Sequence, residues 1–278
     1  MKKIIALVLA LTMIFAFAAC AKTPAEADDT NVGDGATNVE TLTMATNASF
    51  PPYEYVEDDG SFAGIDVEIA TAIAERLGMK LEIVDTEFGS IIGGVQAGKY
   101  DIGMAGMTVT DERKESVNFS NTYATAKQVV IVKEDSEIAD FTDLYTEWED
   151  EDTPKAVKEG VKIGVQQDTT GDIYASSDPA DWGFGEGNVI RYKTGNDAVA
   201  SLVTDKVDLV IIDNEPAKSY VAANKGLKIL DGAYADEEYA ICIAKENTEL
   251  LDKINVALEE LTAEGKIDEI VVKYIPAE

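Results

Sequence analysis

The chain has no histidine, two cysteines and few basic residues, and each shortage excludes something. Without histidine, Ser-His-Asp and Cys-His catalysis are impossible and the commonest metal ligand is missing. Lys and Arg number 23 against 53 Asp and Glu, which gives a formal net charge of -30. Because phosphate binding requires clustered basic side chains, we expect no nucleic-acid partner. We attribute the acidity to solubility.

Long apolar runs are also absent, except at the N-terminus. Residues 4–19 are apolar and follow a basic start, but the run is shorter than the roughly 20 residues that cross a bilayer. This pattern is typical of a secretory signal peptide. The segment FAAC at residues 17–20 resembles the bacterial lipobox, with Phe17 in place of the usual Leu or Val. We expect residues 1–20 to be a lipoprotein signal peptide and Cys20 to be lipidated; a plain secretion signal is the alternative.

The leader places the remaining chain outside the cytoplasm, anchored by lipid to the cell membrane at the cell surface or in the periplasm. Residues 21–40 are rich in Ala, Thr, Asp and Gly and lack periodic apolar positions, so we expect a flexible tether. If Cys20 carries lipid, Cys242 has no disulfide partner, and its apolar neighbours predict a small buried side chain. No later apolar run has transmembrane length, which argues against a membrane-embedded transporter.

Beyond residue 40, strand-like and helix-like segments alternate. In the clearest helical pattern, Ile65, Ile69, Ile73 and Leu77 recur every four residues, and Gly78 can end the helix. We expect Asp66 to cap its N-terminus. A second alternating series follows residue 160. Alternation of this kind predicts an α/β fold with two lobes, each built on a sheet.

Residues 134–152 contain ten acids and no basic residue. We expect this segment to loop out as a solvated surface insert. Calcium binding is the alternative, because hard cations take clustered carboxylates, although the glycine-bearing spacing of an EF-hand loop is missing.

The residues with the clearest chemical potential lie in the segment MAGMTVTDER at 104–113. Gly106 lets the backbone approach a ligand closely, and the Thr108 hydroxyl can donate to an oxyanion. Arg113 can hold a carboxylate with two parallel hydrogen bonds. The alternative is that Arg113 pairs with Glu112 or Glu115 on a helix surface.

Several ordered motifs give the chain a resemblance to a known family. The segment GIDVEIATAIAERL at 64–77 resembles the signature of the family-3 extracellular solute-binding proteins, the polar amino-acid receptors of bacterial ABC importers. The segment TNASFPPY at 46–53 resembles the start of their first lobe. Further similar motifs lie at residues 110–113, 163–170 and 209–213. The resemblance covers about residues 41–275.

The resemblance implies a type II periplasmic-binding-protein-like fold, in which two α/β lobes are joined by two hinge strands. Lobe one would comprise residues 41–124 plus 239–278, and lobe two residues 125–238. The hinges would lie near residues 123–127 and 235–239. It also implies a monomer without catalysis, cofactor or metal, which captures an amino acid and delivers it to the permease subunits of an ABC transporter.

The resemblance further implies roles for particular residues. Arg113 would bind the α-carboxylate of the ligand, helped by Thr108 and by N–H groups near Gly106 and Thr170. Asp213 would bind the α-ammonium group, although it could instead cap the following helix.

Other positions would surround the ligand side chain. Phe50 and Phe88 would form aromatic walls, with ordinary core packing as the alternative. The remaining positions near the ligand side chain are Asn47, Ala105, Gln166 and Thr169.

Since Asn47 and Gln166 are neutral and Ile212 is apolar, a charged side chain would lack a buried partner. We therefore expect a neutral, polar ligand such as glutamine or a cystine-like amino acid. The other functions considered are a sensory receptor, a lytic transglycosylase that would need a further domain, and a dehydratase with Glu87 as its acid.

Overall fold

The computed structural model describes residues 39–276. The predicted signal peptide at residues 1–20, the lipidation site Cys20 and nearly all of the tether at residues 21–40 lie outside the described residues. Within the described part, no helix is both long enough and apolar enough to cross a bilayer.

The first part of the described chain builds an α/β lobe on a mixed sheet. The elements in chain order are β1 Thr41–Thr46, β2 Ser49–Phe50, β3 Glu54–Val56, β4 Phe62–Ala63, α1 Ile65–Leu77, β5 Lys80–Asp85, α2 Ile91–Gln96, β6 Ile102–Gly103, α3 Asp111–Ser116 and β7 Val117–Phe119. Strands β2, β3 and β4 form a small antiparallel sheet. Strand β1 is an interior strand of the larger sheet and pairs in parallel with β5 and β6.

The next part of the chain builds a second sheet and then returns to the first. The elements are β8 Ala124–Lys133, β9 Tyr145–Trp148, β10 Pro154–Val157, β11 Ile163–Gln166, α4 Thr170–Ser176, β12 Val189–Tyr192, α5 Gly195–Val203, β13 Leu209–Asp213, α6 Asn214–Ala223, β14 Leu227–Ile229, β15 Ala235–Tyr239, β16 Cys242–Ala244, α7 Thr248–Ala263 and α8 Lys266–Tyr274. The strand orders are β5-β1-β6-β16-β7 in the first large sheet and β12-β11-β13-β8-β14 in the second.

The two large sheets make the fold two-lobed, as the sequence predicted. The chain passes from the first sheet to the second along β8 and returns along β15, and these two strands pair antiparallel from Ala124 with Tyr239 to Gln128 with Ala235. The domain limits given above stay a prediction, but the two sheets are joined through this strand pair.

Helix α1 confirms the pattern read from the sequence, with one difference. Ile65, Ile69 and Ile73 are fully buried, and each such side chain contributes roughly 1.5–3 kcal/mol by leaving water. Gly78 ends the helix in the left-handed conformation, at φ 68°. The prediction that Asp66 caps the helix is wrong. Asp66 lies inside the first turn, fully buried, and its carboxylate accepts from the Gly106 N–H, 2.8 Å away.

Cys242 is fully buried in β16, which confirms its prediction as a small core side chain. Burial raises the pKa of its thiol to about 12.

The acidic segment at residues 134–152 does not simply loop out. Its acids are largely exposed, but β9 pairs with β10, and Leu144 and Tyr145 are buried. Its aromatic side chains join an aromatic cluster in lobe two, defined as Phe141, Tyr145, Trp148, Trp182, Phe184 and Tyr234. Between residues 39 and 276, no group of three or more acidic or cysteine side chains is arranged to hold a metal ion.

Candidate ligand-binding site

A cavity lies between the two sheets, and its volume is only about 10 Å³, roughly the space of one water molecule. All eleven residues that the sequence proposed for ligand contact line it, together with Glu54, which the sequence reasoning did not propose. That these side chains contact a ligand stays a prediction; the structure brings them to one place. The lining residues are Asn47, Phe50, Glu54, Phe88, Ala105, Gly106, Thr108, Arg113, Gln166, Thr169, Thr170 and Asp213.

The cavity residues come together because they lie at the ends of neighbouring strands. Asn47 directly follows β1, and Ala105 follows β6. On the other side of the cavity, Gln166 ends β11 and Asp213 ends β13. Carboxyl ends of adjacent parallel strands meet at one edge of a sheet, which is where open α/β sheets bind ligands.

Arg113 lies at the cavity wall and is not paired with Glu112 or Glu115. It is 8% exposed, and its guanidinium donates to the Thr108 carbonyl at 2.8 Å and to the Asp168 carbonyl at 3.1 Å. The second bond reaches across to lobe two. The guanidinium also stacks over the Phe88 ring, 5.2 Å from its centroid. Burial lowers the pKa of Arg113 from its usual value, but arginine keeps its charge in proteins.

Asp213 occupies the N-cap position of α6, yet its side chain makes no capping hydrogen bond. The capping alternative is therefore wrong. The Asp213 carboxylate instead accepts from the Tyr239 hydroxyl on β15. Burial, and then the charge of Glu237, raise the pKa of Asp213 well above its usual range. A cation entering the cavity would stabilise the ionised form of this buried acid.

Two donors proposed for the ligand carboxylate are already engaged within the protein. The N–H of Gly106 donates to Asp66, so this N–H itself is not free for a ligand. The Thr108 hydroxyl donates to Glu237, 3.1 Å away. Sequence motifs identified these positions but could not show their partners, because Asp66 and Glu237 lie 40 and 129 residues away along the chain.

Phe50 and Phe88 lie on the cavity wall and also pack against the protein. Phe50 is 7% exposed and stacks on Tyr53, with ring centroids 6.1 Å apart. Gly106 sits against Phe50 at a φ of +51°, and a Cβ at this position would lie 2.9 Å from the Phe50 ring. A glycine is therefore required by both the conformation and the space.

Of the remaining polar residues, Asn47 and Gln166 connect the lobes, and Thr169 and Thr170 bond within lobe two. The Gln166 side-chain amide donates to the Asn47 side-chain carbonyl at 2.9 Å, and Asn47 donates to the Thr86 carbonyl at 2.8 Å. Thr169 caps α4 and donates to the Gln166 carbonyl at 2.8 Å. The Thr170 hydroxyl accepts from Gln128 at 3.4 Å.

Further contacts outside the cavity hold the lobes together. The Tyr220 hydroxyl donates to the Ser49 carbonyl at 2.6 Å. Lys193 forms an ion pair with Glu87 at 2.5 Å, with both side chains exposed. Glu87 is exposed and paired, so it lies on the surface and does not line the cavity. Because these contacts join the two lobes, the cleft between them is closed.

Glu54 is the cavity residue that sequence reasoning missed. It is 1% exposed, and its carboxyl group lies beside that of Asp66. Burial, and then the charge of Asp66, raise the pKa of Glu54 well above its usual range. The available signal was its position directly after the FPPY motif. Three further acids follow at residues 57–59, so composition alone does not single Glu54 out.

Two α/β lobes that close over a small polar cavity define the class of bacterial solute-binding proteins. The chain belongs to the bacterial extracellular solute-binding proteins, family 3, whose model matches residues 42–277. It is a binding protein and not an enzyme, so the dehydratase alternative is wrong.

Relatives and solved structures agree with this family. The arginine-binding extracellular protein ArtP of Bacillus subtilis is 30% identical, with 100% of both chains covered. The substrate-binding protein of an amino-acid ABC transporter is 34% identical with a TM-score of 0.74, covering 85% of this chain and 100% of that one. The arginine-, lysine-, histidine-binding protein ArtJ of Geobacillus stearothermophilus is 31% identical with a TM-score of 0.75, covering 86% and 96%.

Proposed function

We propose that this chain is the extracytoplasmic receptor of an ABC importer, that its ligand is a basic amino acid, and that arginine is the first candidate. The chain would be anchored through lipid on Cys20 and would deliver the closed, loaded form to permease subunits. The names of the relatives support this class of ligand and this partner.

The observation that carries the proposal is the charge balance around the cavity. Four carboxyl groups are buried in or directly behind its wall: Glu54, Asp66, Asp213 and Glu237. Among residues 39–276, Arg113 is the one basic side chain that lines this cavity. Because buried charges require partners, this site favours a ligand that carries positive charge. An amino acid with a cationic side chain brings two positive groups and one negative group.

Each charged group of such a ligand has a partner on the cavity wall. Arg113 would hold the α-carboxylate, with the forked geometry that guanidinium groups offer. Asp213 would hold the α-ammonium group. Glu54 is the remaining carboxyl group on the wall, and it would hold the cationic side chain, with Phe50 and Phe88 against the apolar part.

This proposal replaces the expectation of a neutral, polar ligand. That expectation rested on Asn47, Gln166 and Ile212, and it omitted Glu54. Asn47 and Gln166 bond to each other, so their neutrality says little about the ligand. The buried acid that a cationic side chain needs lies at Glu54 instead.

Joining the lobes through one ligand would favour the closed form. We propose that the strand pair β8 and β15 acts as the hinge, because it is the route by which the chain passes between the two sheets. A ligand held by Arg113 on one lobe and Asp213 on the other binds the closed form better than the open form, and so shifts the population toward closure.

Isothermal titration calorimetry tests the proposal on protein that has been unfolded and refolded to remove carried-over ligand. We expect arginine, and more weakly lysine or histidine, to bind, while glutamine and cystine bind far less well. Arg113→Ala should abolish binding. Arg76→Ala is the matched control, since Arg76 pairs with Glu260 and Glu264 on the surface and should leave affinity unchanged. Tight binding of glutamine or cystine without arginine binding would reinstate the neutral-ligand hypothesis.

A further inference from the structure

Glu54 and Asp66 form a pair of adjacent buried carboxyl groups, and one of them faces the ligand cavity. Glu54 is 1% and Asp66 0% exposed. One oxygen of Asp66 accepts from the Gly106 N–H. Its other oxygen, Oδ1, and the Glu54 oxygen Oε2 are buried and make no well-formed hydrogen bond, and the Tyr123 hydroxyl is the O–H group that lies near Asp66. If Glu54 carries one proton, its carboxyl group can donate a hydrogen bond to the Asp66 carboxylate.

Among the described residues, the groups that act most strongly on Glu54 and Asp66 include no cation that would keep both ionised. After burial itself, the groups that act most strongly on Glu54 are other carboxyls, namely Asp66, Asp213 and Asp85. Tyrosines on neighbouring elements complete its environment. The titratable groups that face Glu54 are Tyr53 on its own segment, Asp66 on α1, Asp85 at the end of β5, Tyr123 before β8, Asp213 on β13 and Tyr220 on α6.

Two carboxylates in contact within a buried site do not both ionise, because each charge opposes the other and neither is solvated. Burial raises the pKa of Asp66 to about 7 and that of Glu54 well above its usual range. The proton therefore belongs to the pair rather than to one residue.

We propose that Glu54 and Asp66 share one proton in the empty site, that a cationic ligand side chain displaces this proton, and that a neutral side chain leaves it in place. The inference rests on the proposed function and adds a specificity-determining role for Asp66, which never touches the ligand. Asp66 sets the charge of Glu54, and the charge of Glu54 decides which ligand class the site accepts.

The displacement balances in charge and protons. In the empty site the pair carries one proton and one negative charge. When a guanidinium group arrives at Glu54, the proton leaves to the solvent, and the second negative charge is matched by the ligand cation. A neutral side chain that accepts a hydrogen bond from the protonated Glu54 releases nothing. While the pair holds its proton, the affinity for arginine should then rise about tenfold more per pH unit than the affinity for a neutral analogue.

Citrulline is the matched ligand, because it has nearly the shape of arginine but a neutral side chain. Both ligands carry the same α-ammonium and α-carboxylate groups. Any proton released at Asp213 is therefore common to both. The difference between the two proton counts isolates the pair Glu54 and Asp66.

The experiment is calorimetry of arginine and citrulline binding between pH 7.0 and pH 8.5, in buffers of different ionisation enthalpy, because Asp66 takes up a proton of its own below its raised pKa of about 7. We expect arginine to release about one proton more than citrulline, and the preference for arginine over citrulline to grow with pH. Arginine that binds with the same proton count as citrulline overturns the inference and leaves the proposed function standing. A failure of every basic amino acid to bind overturns the proposed function itself.

Variants separate a role of the pair from a general structural effect. Glu54→Gln should weaken arginine far more than citrulline and remove the extra proton. Asp66→Asn keeps an acceptor for Gly106 but no longer opposes ionisation of Glu54, so arginine should still bind with less proton release. Asp101→Asn is the control, since Asp101 is a partly buried acid of lobe one outside the cavity, bonded to Thr43. Full proton release in both cavity variants would contradict the assignment.

Discussion

Gln166 on β11 and Asn47 after β1 join the two lobes through a hydrogen bond of 2.9 Å between their side-chain amides. Gln166 is 4% and Asn47 9% exposed, so this bond forms away from water. It exists only when the cleft is closed, and it therefore contributes to the closed state without contributing to either lobe alone.

We expect Gln166→Ala to weaken ligand binding about fivefold, because loss of a buried hydrogen bond costs roughly 1 kcal/mol. A double-mutant cycle with Asn47→Ala separates this bond from direct ligand contact. Gln167→Ala is the control, since the neighbouring side chain is exposed and bonds to Asp168. If the effects of Gln166→Ala and Asn47→Ala on affinity are additive, the hydrogen bond between these residues does not contribute to closure.

Gly89 provides a second requirement for closure. A Cβ at Gly89 would lie 2.0 Å from Oδ2 and 2.8 Å from Cγ of Asp168, which belongs to the other lobe. We expect Gly89→Ala to weaken binding about fivefold at most, because the exposed Asp168 side chain must rotate away from the new methyl group at a cost of roughly 1 kcal/mol. Small-angle scattering of the ligand-saturated protein should then show a more open average shape.

Gly93→Ala is the matched control for Gly89→Ala, since a Cβ at Gly93 meets no atom within 4 Å. It should leave both affinity and shape unchanged. If Gly89→Ala closes and binds as tightly as the native protein, the contact with Asp168 yields without cost and does not limit closure.

The buried stripe of α1 should dominate the stability of lobe one. Ile73 is fully buried, and we expect Ile73→Ala to lower the free energy of unfolding by about 2–5 kcal/mol. Val272→Ala on α8, where the native side chain is 56% exposed, should change it by less than about 0.5 kcal/mol. Urea denaturation monitored by circular dichroism measures both. Equal small effects would mean that the helix contributes little to the folded core.

Asp66 should make the empty protein less stable as the pH rises. Folding raises its pKa from 3.8 to about 7, so the folded state binds the proton more tightly than the unfolded chain. Stability contributed by this proton is full below about pH 4 and is lost as the pH rises toward 7, by at most about 4 kcal/mol. Thermal melts of the native protein and Asp66→Asn across this range give the difference. A native protein that loses no stability relative to the variant would contradict the shift.

Much of the fold follows from patterns that act over short distances along the chain. The spacing of Ile65, Ile69 and Ile73 predicted the buried face of α1, and Gly78 predicted its end, because both depend on local geometry. The sequence also placed Asp66 in this helix, but the predicted role of Asp66 as the N-terminal cap is wrong. Its true partner, Gly106, comes close only after the two segments fold together, and no local pattern reports that approach.

The candidate site shows the same division. The motifs named eleven residues that the structure places around one cavity. The ligand class, however, was inferred from Asn47 and Gln166, and the sequence does not show that these two amides bond to each other. The acidic insert was expected to be solvated because its charges dominate its composition. Tyr145 is buried there because the hairpin folds its aromatic residues back onto Trp182 and Phe184, a long-range packing choice.

Both tryptophans of the chain belong to the aromatic cluster of lobe two, with ring centroids 5.8 Å apart, and neither lines the ligand cavity. Tryptophan emission should therefore report the integrity of the insert rather than occupancy of the cleft. A titration followed by this signal would be nearly silent even for a ligand that binds tightly. The same tryptophan emission should follow the unfolding of lobe two without interference from the ligand, and it can be measured alongside any binding assay.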